Sequence, residues 1–215
     1  MASVGQRAGS RGRTPGLAAL AGVLLLTAAL ATACGGSGDK HSNPVAWPAP
    51  GSDRVIQLVT SAGLVPETHE SLTYHVHAHL DIYVDGLARV VPGGIGIVTT
   101  DPGVQKGVVD GQPAFGGIKL CALPCISPLH THDATGVLHT ESATPAGNTL
   151  GQLFREWDVR LGPDCVGQYC APQTPIAVYV DGNQAPLADA PAILLQDQRE
   201  IAIVIGTPPA KIPGR

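Results

Sequence analysis

The chain has 215 residues, with 13 Lys and Arg against 17 Asp and Glu and a formal net charge of −4 with its eight histidines neutral. That balance is poorly suited to binding nucleic acid or anionic lipid headgroups directly, since both favour clustered positive charge. With 27 Gly and 19 Pro, the composition favours a turn-rich, mainly β domain.

The first segment reads as an export signal. Arg7, Arg11 and Arg13 precede the apolar run "GLAALAGVLLLTAALATA" (16–33), which ends in small residues and is followed at once by Cys34 and a Gly/Ser stretch. This arrangement resembles a bacterial lipoprotein signal. The resemblance implies cleavage before Cys34, acylation of that residue with palmitate-type chains, and attachment to the lipid bilayer at the extracytoplasmic face of the cell membrane. The sequence departs from the pattern in having Ala31, not Leu, three residues before the cysteine. "ATA" also suits an ordinary signal peptidase, so the alternative is a soluble secreted protein. A permanent helical anchor is the third reading, because this 18-residue run is just long enough to span a bilayer.

Removing the signal (1–33) takes three arginines and no acids from the 13 Lys and Arg and 17 Asp and Glu, leaving 10 against 17 and a net −7. Residues 34–54, rich in Gly, Ser and Pro, read as a flexible tether. A single β-rich, disulfide-bonded domain is expected over 55–210.

Within it, "DRVIQLVTSAGL" predicts a short helix with Asp53 as cap and Gly63 as stop. "TYHVHAHLDIYVDG" (73–86) alternates apolar Val76, Ala78, Leu80, Ile82 and Val84 with His75, His77, His79, Asp81 and Tyr83, a strand with one apolar face. Asp85-Gly86 turns it back through "LARVVP". Residues 93–117 read as loop with short extended pieces. "SPLHTHDATGVLHTES" predicts a hairpin, and "NTLGQLFREWDVRLG" a helix capped by Asn148 or Thr149, with Leu150, Leu153, Phe154 and Trp157 on its apolar face and Gly162-Pro163 as its end. "PIAVYVDGNQAPLAD" and "REIAIVIG" add strands. "YVDG" occurs twice, and as Asp-Gly is a common hairpin turn, chance is favoured over internal duplication. The expected class is α+β, mainly antiparallel β with one covering helix, in a β-grasp-like arrangement; the alternative is a cupredoxin-like β-sandwich.

Lipidation of Cys34 would leave Cys121, Cys125, Cys165 and Cys170, an even set suited to two disulfides in an oxidising compartment. Local pairs, 121–125 and 165–170, are sterically allowed, though spacing alone does not choose among three connectivities. A four-thiolate zinc site is disfavoured because these spacings lie outside the usual zinc knuckle.

His75, His77 and His79 form one cluster and His130, His132 and His139 another. Strand neighbours two apart lie roughly 6.5–7 Å from one another, so two imidazoles of the first cluster can share an ion, whereas three span about 13 Å. The second hairpin can supply the remaining ligands. With an Asp133–Gly136 loop, His130 falls opposite His139, and His130, His132, His139 and Glu141 share a face. A slip of one residue in register would separate them. Imidazole suits zinc or copper(II), and Asp81, Asp133 and Glu141 are available as further ligands. Met1 is the only methionine, which leaves no thioether copper site.

His-x-His with a third histidine from a neighbouring strand is similar to the zinc site of α-type carbonic anhydrases. That likeness is confined to the ligands, and the domain is too short for their fold. His-x-His also resembles cupins, but in "DATGVL" the acid they place a few residues after the second histidine is missing, and Glu141 is too far on. The whole string "HVHAHLDIYVDG…LHTHDATGVLHTES" resembles uncharacterised exported histidine-rich bacterial domains, from which no activity carries over. No phosphate loop, serine elbow or dinucleotide site is present, and no catalytic residue is assigned.

The sequence therefore points to a lipoprotein that binds zinc or copper(II) through His75, His77, His79, His130, His132 and His139, with an envelope protein as a further partner. The alternatives are a zinc- or copper-dependent hydratase, hydrolase or oxidase on the same histidines, a pH-responsive histidine cluster, and a metal-free envelope binding module.

Overall fold

Strand β1 (Tyr74–Val84) organises the domain because its two faces differ so sharply in polarity. A computed structural model describes residues 47–212. The signal segment, Cys34 and the first part of the tether lie outside the described residues. In chain order the elements are helix α1 (Val55–Ser61), β1, β2 (Leu87–Arg89), β3 (Gln105–Val109), β4 (Gln112–Gly116), β5 (Leu129–His130), β6 (Val137–Ser142), α2 (Leu150–Glu156), β7 (Cys165–Val166), β8 (Tyr169–Cys170), β9 (Ile176–Val180), β10 (Asn183–Ala185), a 3-10 helix (Leu187–Ala192) and β11 (Arg199–Ile205).

Seven strands form one sheet in the order β10-β9-β11-β1-β6-β5, with β2 also on β1. The class is α+β and mostly antiparallel, as expected; among the described residues the one parallel pair of strands is β1 with β11. Along its other edge β1 pairs first with β6, through Tyr74–His79, and then with β2, through Ile82–Val84. Strands β3 and β4 form a separate hairpin, as do β7 and β8.

Alternation in β1 sends Ala78, Leu80, Ile82 and Val84 to one face, where they join Ile201, Ile203 and Ile205 of β11, Leu138 of β6 and Val178 of β9. Leu150, Leu153, Phe154 and Trp157 of α2 close this core. The opposite face carries His75, His77, His79 and Asp81, and farther along the sheet a small apolar patch of Tyr83, Tyr179, Ala202, Val204 and Ile212.

Several local expectations need correction. Asp53 does not cap α1: Arg54 occupies that position with no side-chain bond. Helix α2 is capped by Thr149, one of the two residues expected there, in a full capping box: Thr149 accepts from the Gln152 amide and Gln152 reaches back. It ends at Trp157, before Gly162-Pro163, because Asp158 turns the chain with φ 60°. The segment read as loop contains the β3–β4 hairpin, turned by Asp110-Gly111 at φ 50° and 76°. Both central residues have positive φ there, as at Asp85-Gly86 and Asp181-Gly182. The residues from Trp47, placed in the tether by composition, pack on the domain: Trp47 meets Trp157 edge-on at 6.0 Å, and the Trp157 indole donates to the Trp47 carbonyl at 3.0 Å.

Disulfides join Cys121 to Cys125 and Cys165 to Cys170, the two local pairs, which fits an oxidising compartment. Among the described residues no helix is long and apolar enough to cross a membrane.

Candidate metal centre

The polar face of β1 acquires its chemistry from register. In the ladder His77 lies opposite His139, His75 opposite Glu141, and His130 opposite His139. Directly opposed residues share a face, so His77, His139 and His130 form a row across three adjacent strands, with His75 and Glu141 beside it. His132 lies past the end of β5, in the connection to β6. Its backbone is clamped there: the Phe115 amide donates to the His132 carbonyl, and the Thr131 amide to that of Ile95. Gly93 makes the clamp fit, since a Cβ there would lie 2.7 Å from the Asp133 Cα and the His132 carbonyl oxygen.

His130, His132, His139 and Glu141 each present one donor atom, all within 4.8 Å of one another. His130 Nδ1–H donates to the Ser127 carbonyl at 2.8 Å, and His132 Nδ1–H to the Phe115 carbonyl at 2.6 Å. A carbonyl can only accept, so both tautomers are set and both Nε2 atoms are turned inward, where they face each other at 3.2 Å. Glu141 Oε1 is 3.2 Å from His139 Nδ1 and 3.8 Å from His132 Nε2, and Oε2 is 3.8 Å from His130 Nε2. Four donors held 2.0–2.1 Å from a tetrahedral ion would be spaced by about 3.3 Å. The observed spacings bracket that value.

The site is buried yet charged. His130 is 0 % exposed, and Glu141 3 %. Burial, helped by neighbouring His132, pushes the His130 pKa down to about 3, which leaves the ring a neutral donor. Burial disfavours the charge of Glu141 too, but its interactions with His132 and His139 prevail and hold its carboxyl well below the usual range. Burial likewise opposes the charge of His132, yet Glu141, the Phe115 carbonyl and Glu70 together raise its pKa above the ordinary histidine value. Two buried carboxylate oxygens here lack a hydrogen-bond partner: Glu141 Oε2 and Glu70 Oε1, the latter 3.8 Å from His132 Nε2. Unpaired buried oxygens of this kind are costly, and a cation between the carboxylate and the two Nε2 atoms would relieve both the orphaned oxygen and the facing lone pairs.

The other predicted residues divide. His75 Nε2 lies 3.1 Å from Glu141 Oε1, at the mouth of the cluster. His75, His77 and His139 form a second, more exposed group within the same 4.8 Å limit. His79 does not join either group as expected; it forms a separate one with Asp81 and Glu200 inside the same 4.8 Å limit. Its Nε2–H donates to the Thr135 carbonyl at 2.9 Å, and its Nδ1 faces Glu200 at 3.1 Å and Asp81 at 3.6 Å. Asp81, a suggested further ligand, lies with His79 and not in the main cluster. Asp133, also a suggested ligand, instead accepts from the Thr135 amide and hydroxyl within its own turn. Sequence reasoning missed Glu70 and Glu200, which lie in distant segments and carry no spacing signal.

A cleft of about 540 Å³ opens over the cluster, between His75, His132, His139 and Glu141 on one side and the β3–β4 hairpin on the other. Comparisons with family models, curated proteins and solved structures find no match to this chain.

Proposed function

We propose that the protein is a membrane-tethered extracytoplasmic lipoprotein, anchored through acylated Cys34, whose domain binds one divalent transition metal ion, zinc or copper(II), at His130, His132, His139 and Glu141. The observation that carries the metal reading is the pair of Nε2 atoms 3.2 Å apart, each aimed by a backbone carbonyl behind its ring and facing a buried carboxylate. Four protein donors complete a tetrahedral shell, the arrangement of a holding site rather than a catalytic one, which keeps a position open. Storage, delivery or sensing of the ion follows from this more readily than turnover.

The test is metal analysis of protein purified without a histidine tag, loaded with zinc or copper(II) and dialysed. About one equivalent with a raised melting temperature is expected, and less than about a tenth with no stabilisation rejects the reading. For the anchor, Cys34→Ala should release the protein from the membrane fraction and abolish palmitate labelling; a variant that stays membrane-bound refutes it.

The cleft over His132, His139 and Glu141 favours a second reading, a hydratase, hydrolase or oxidase in which Glu141 yields its place to water or substrate. Turnover that disappears with the metal would establish it.

A further inference from the structure

Three histidines stand directly across from one another on neighbouring strands, and they run from solvent to core. His77 is exposed, His139 is 15 % exposed and His130 is fully buried. The His77 and His139 rings are 4.5 Å apart, those of His139 and His130 5.4 Å, and His75 stacks on His139 at 5.8 Å. His139 belongs both to the outer group with His75 and His77 and to the inner group with His130, His132 and Glu141. Glu141 Oε1 also touches both, at 3.1 Å from His75 and 3.2 Å from His139.

Resting on the metal reading above, we propose that His75, His77 and His139 are a loading position from which the ion is passed inward to the buried site. A divalent ion cannot shed its water all at once, because desolvating a charge without replacement ligands costs far more than thermal energy supplies. Uptake into a buried site therefore needs a sequence of positions that exchange water for protein donors a few at a time. The outer group offers imidazoles closer to solvent, His75 and His139 of them lining the cleft, and there the ion keeps part of its water. The bonds to His75 and His77 then break as those to His130 and His132 form, with His139 and Glu141 Oε1 within reach of both positions, and the remaining waters leave through the cleft. Because both positions need His139, only one is filled at a time, and the two positions together hold one ion.

The experiment compares the wild-type chain with the double variant His75→Ala/His77→Ala. Zinc transfer from a weak chromophoric chelator is followed by stopped flow, release to a strong chelator gives the reverse rate, and competition gives the equilibrium constant. A loading position acts on both rates and leaves their ratio alone, so uptake and release should each slow by at least about tenfold while affinity changes by less than about threefold. Unchanged uptake overturns the proposal. So does weakened affinity with faster release, which would make His75 and His77 ligands of the final site, and so does a second tightly bound ion in the wild type that the double variant lacks. A wild-type chain that takes up no zinc rejects the metal reading itself, an outcome distinct from these three.

Discussion

His130 and His132 meet at their Nε2 atoms, 3.2 Å apart, because the Ser127 and Phe115 carbonyls hold their opposite nitrogens. Neutral imidazoles in this arrangement set lone pair against lone pair, a contact that either a proton or a metal ion resolves. Removing one of the two should therefore affect metal binding far more than removing an equally conspicuous histidine elsewhere. His132→Ala should weaken zinc binding by at least about a hundredfold in a chelator competition assay, by analogy with the 10–100-fold lost when only an outer-shell partner is removed. His79→Ala, whose ring is engaged by Thr135 and Glu200, should stay within about threefold of wild type. Equal effects of the two substitutions would refute the assignment of the site to His130, His132, His139 and Glu141.

The aim of the His132 ring can be disturbed without touching it. A Cβ added at Gly116 would lie 3.2 Å from His132 Nδ1, close enough to push the ring off the Phe115 carbonyl. Gly116 does not need positive φ, so alanine is tolerated by the backbone itself. Gly116→Ala should lower zinc affinity by about 10–100-fold, the range for a disturbed outer-shell contact, while metal-free circular dichroism and melting stay close to wild type.

Much of this site was legible in the sequence because it lies in strands. The period of two in 73–86 fixed which side chains share a face, and the turn residues between His132 and Val137 placed His130 opposite His139. His79 shows where periodicity stops. It shares a face with His75 and His77, but the parallel neighbour β11 brings Glu200 directly across from it and takes it away from the cluster. Nothing in the order of residues announces that pairing, since β1 and β11 are separated by over a hundred positions in the chain. Glu70 was hidden for a related reason: it sits in an irregular segment, its own amide donating to the Ile118 carbonyl. The helices were readable from apolar spacing, but their ends depend on caps and on single residues such as Asp158 at positive φ, which spacing does not report.

Both disulfides close short loops, with sequence separations of four and five. The chain-entropy estimate for loops this short is about 2 kcal/mol each. Reduction of both should lower the melting temperature by roughly 10 °C, at about 2–4 °C per kcal/mol for a domain of this size. Cys121 and Cys125 also pack with Ile97, Val104, Ile118 and Ile126 in a small core of their own, so Cys121→Ser/Cys125→Ser places hydroxyls among apolar groups. It should cost more than Cys121→Ala/Cys125→Ala, a difference measurable by chemical denaturation.

Glu156 provides the clearest dependence of stability on pH. It is 1 % exposed, accepts from the Ser127 hydroxyl at Oε1, and has no partner at Oε2. Burial raises its pKa to about 8, against the smaller opposing effect of the Ser127 bond. In the unfolded chain the carboxyl titrates near 4.5. Between these values the folded state holds a proton that the unfolded state has lost, so stability falls as pH rises, by about 1.4 kcal/mol per unit at most. Below about 4.5 both states are protonated and above about 8 both are ionised, and the contribution of this group levels off at each end. Glu156→Gln keeps an oxygen for Ser127 and removes the titration. The variant should match wild type near pH 4.5 and exceed it progressively towards pH 8, by a few kcal/mol in urea denaturation. Parallel pH profiles for the two proteins would show that Glu156 titrates alike in the folded and unfolded states.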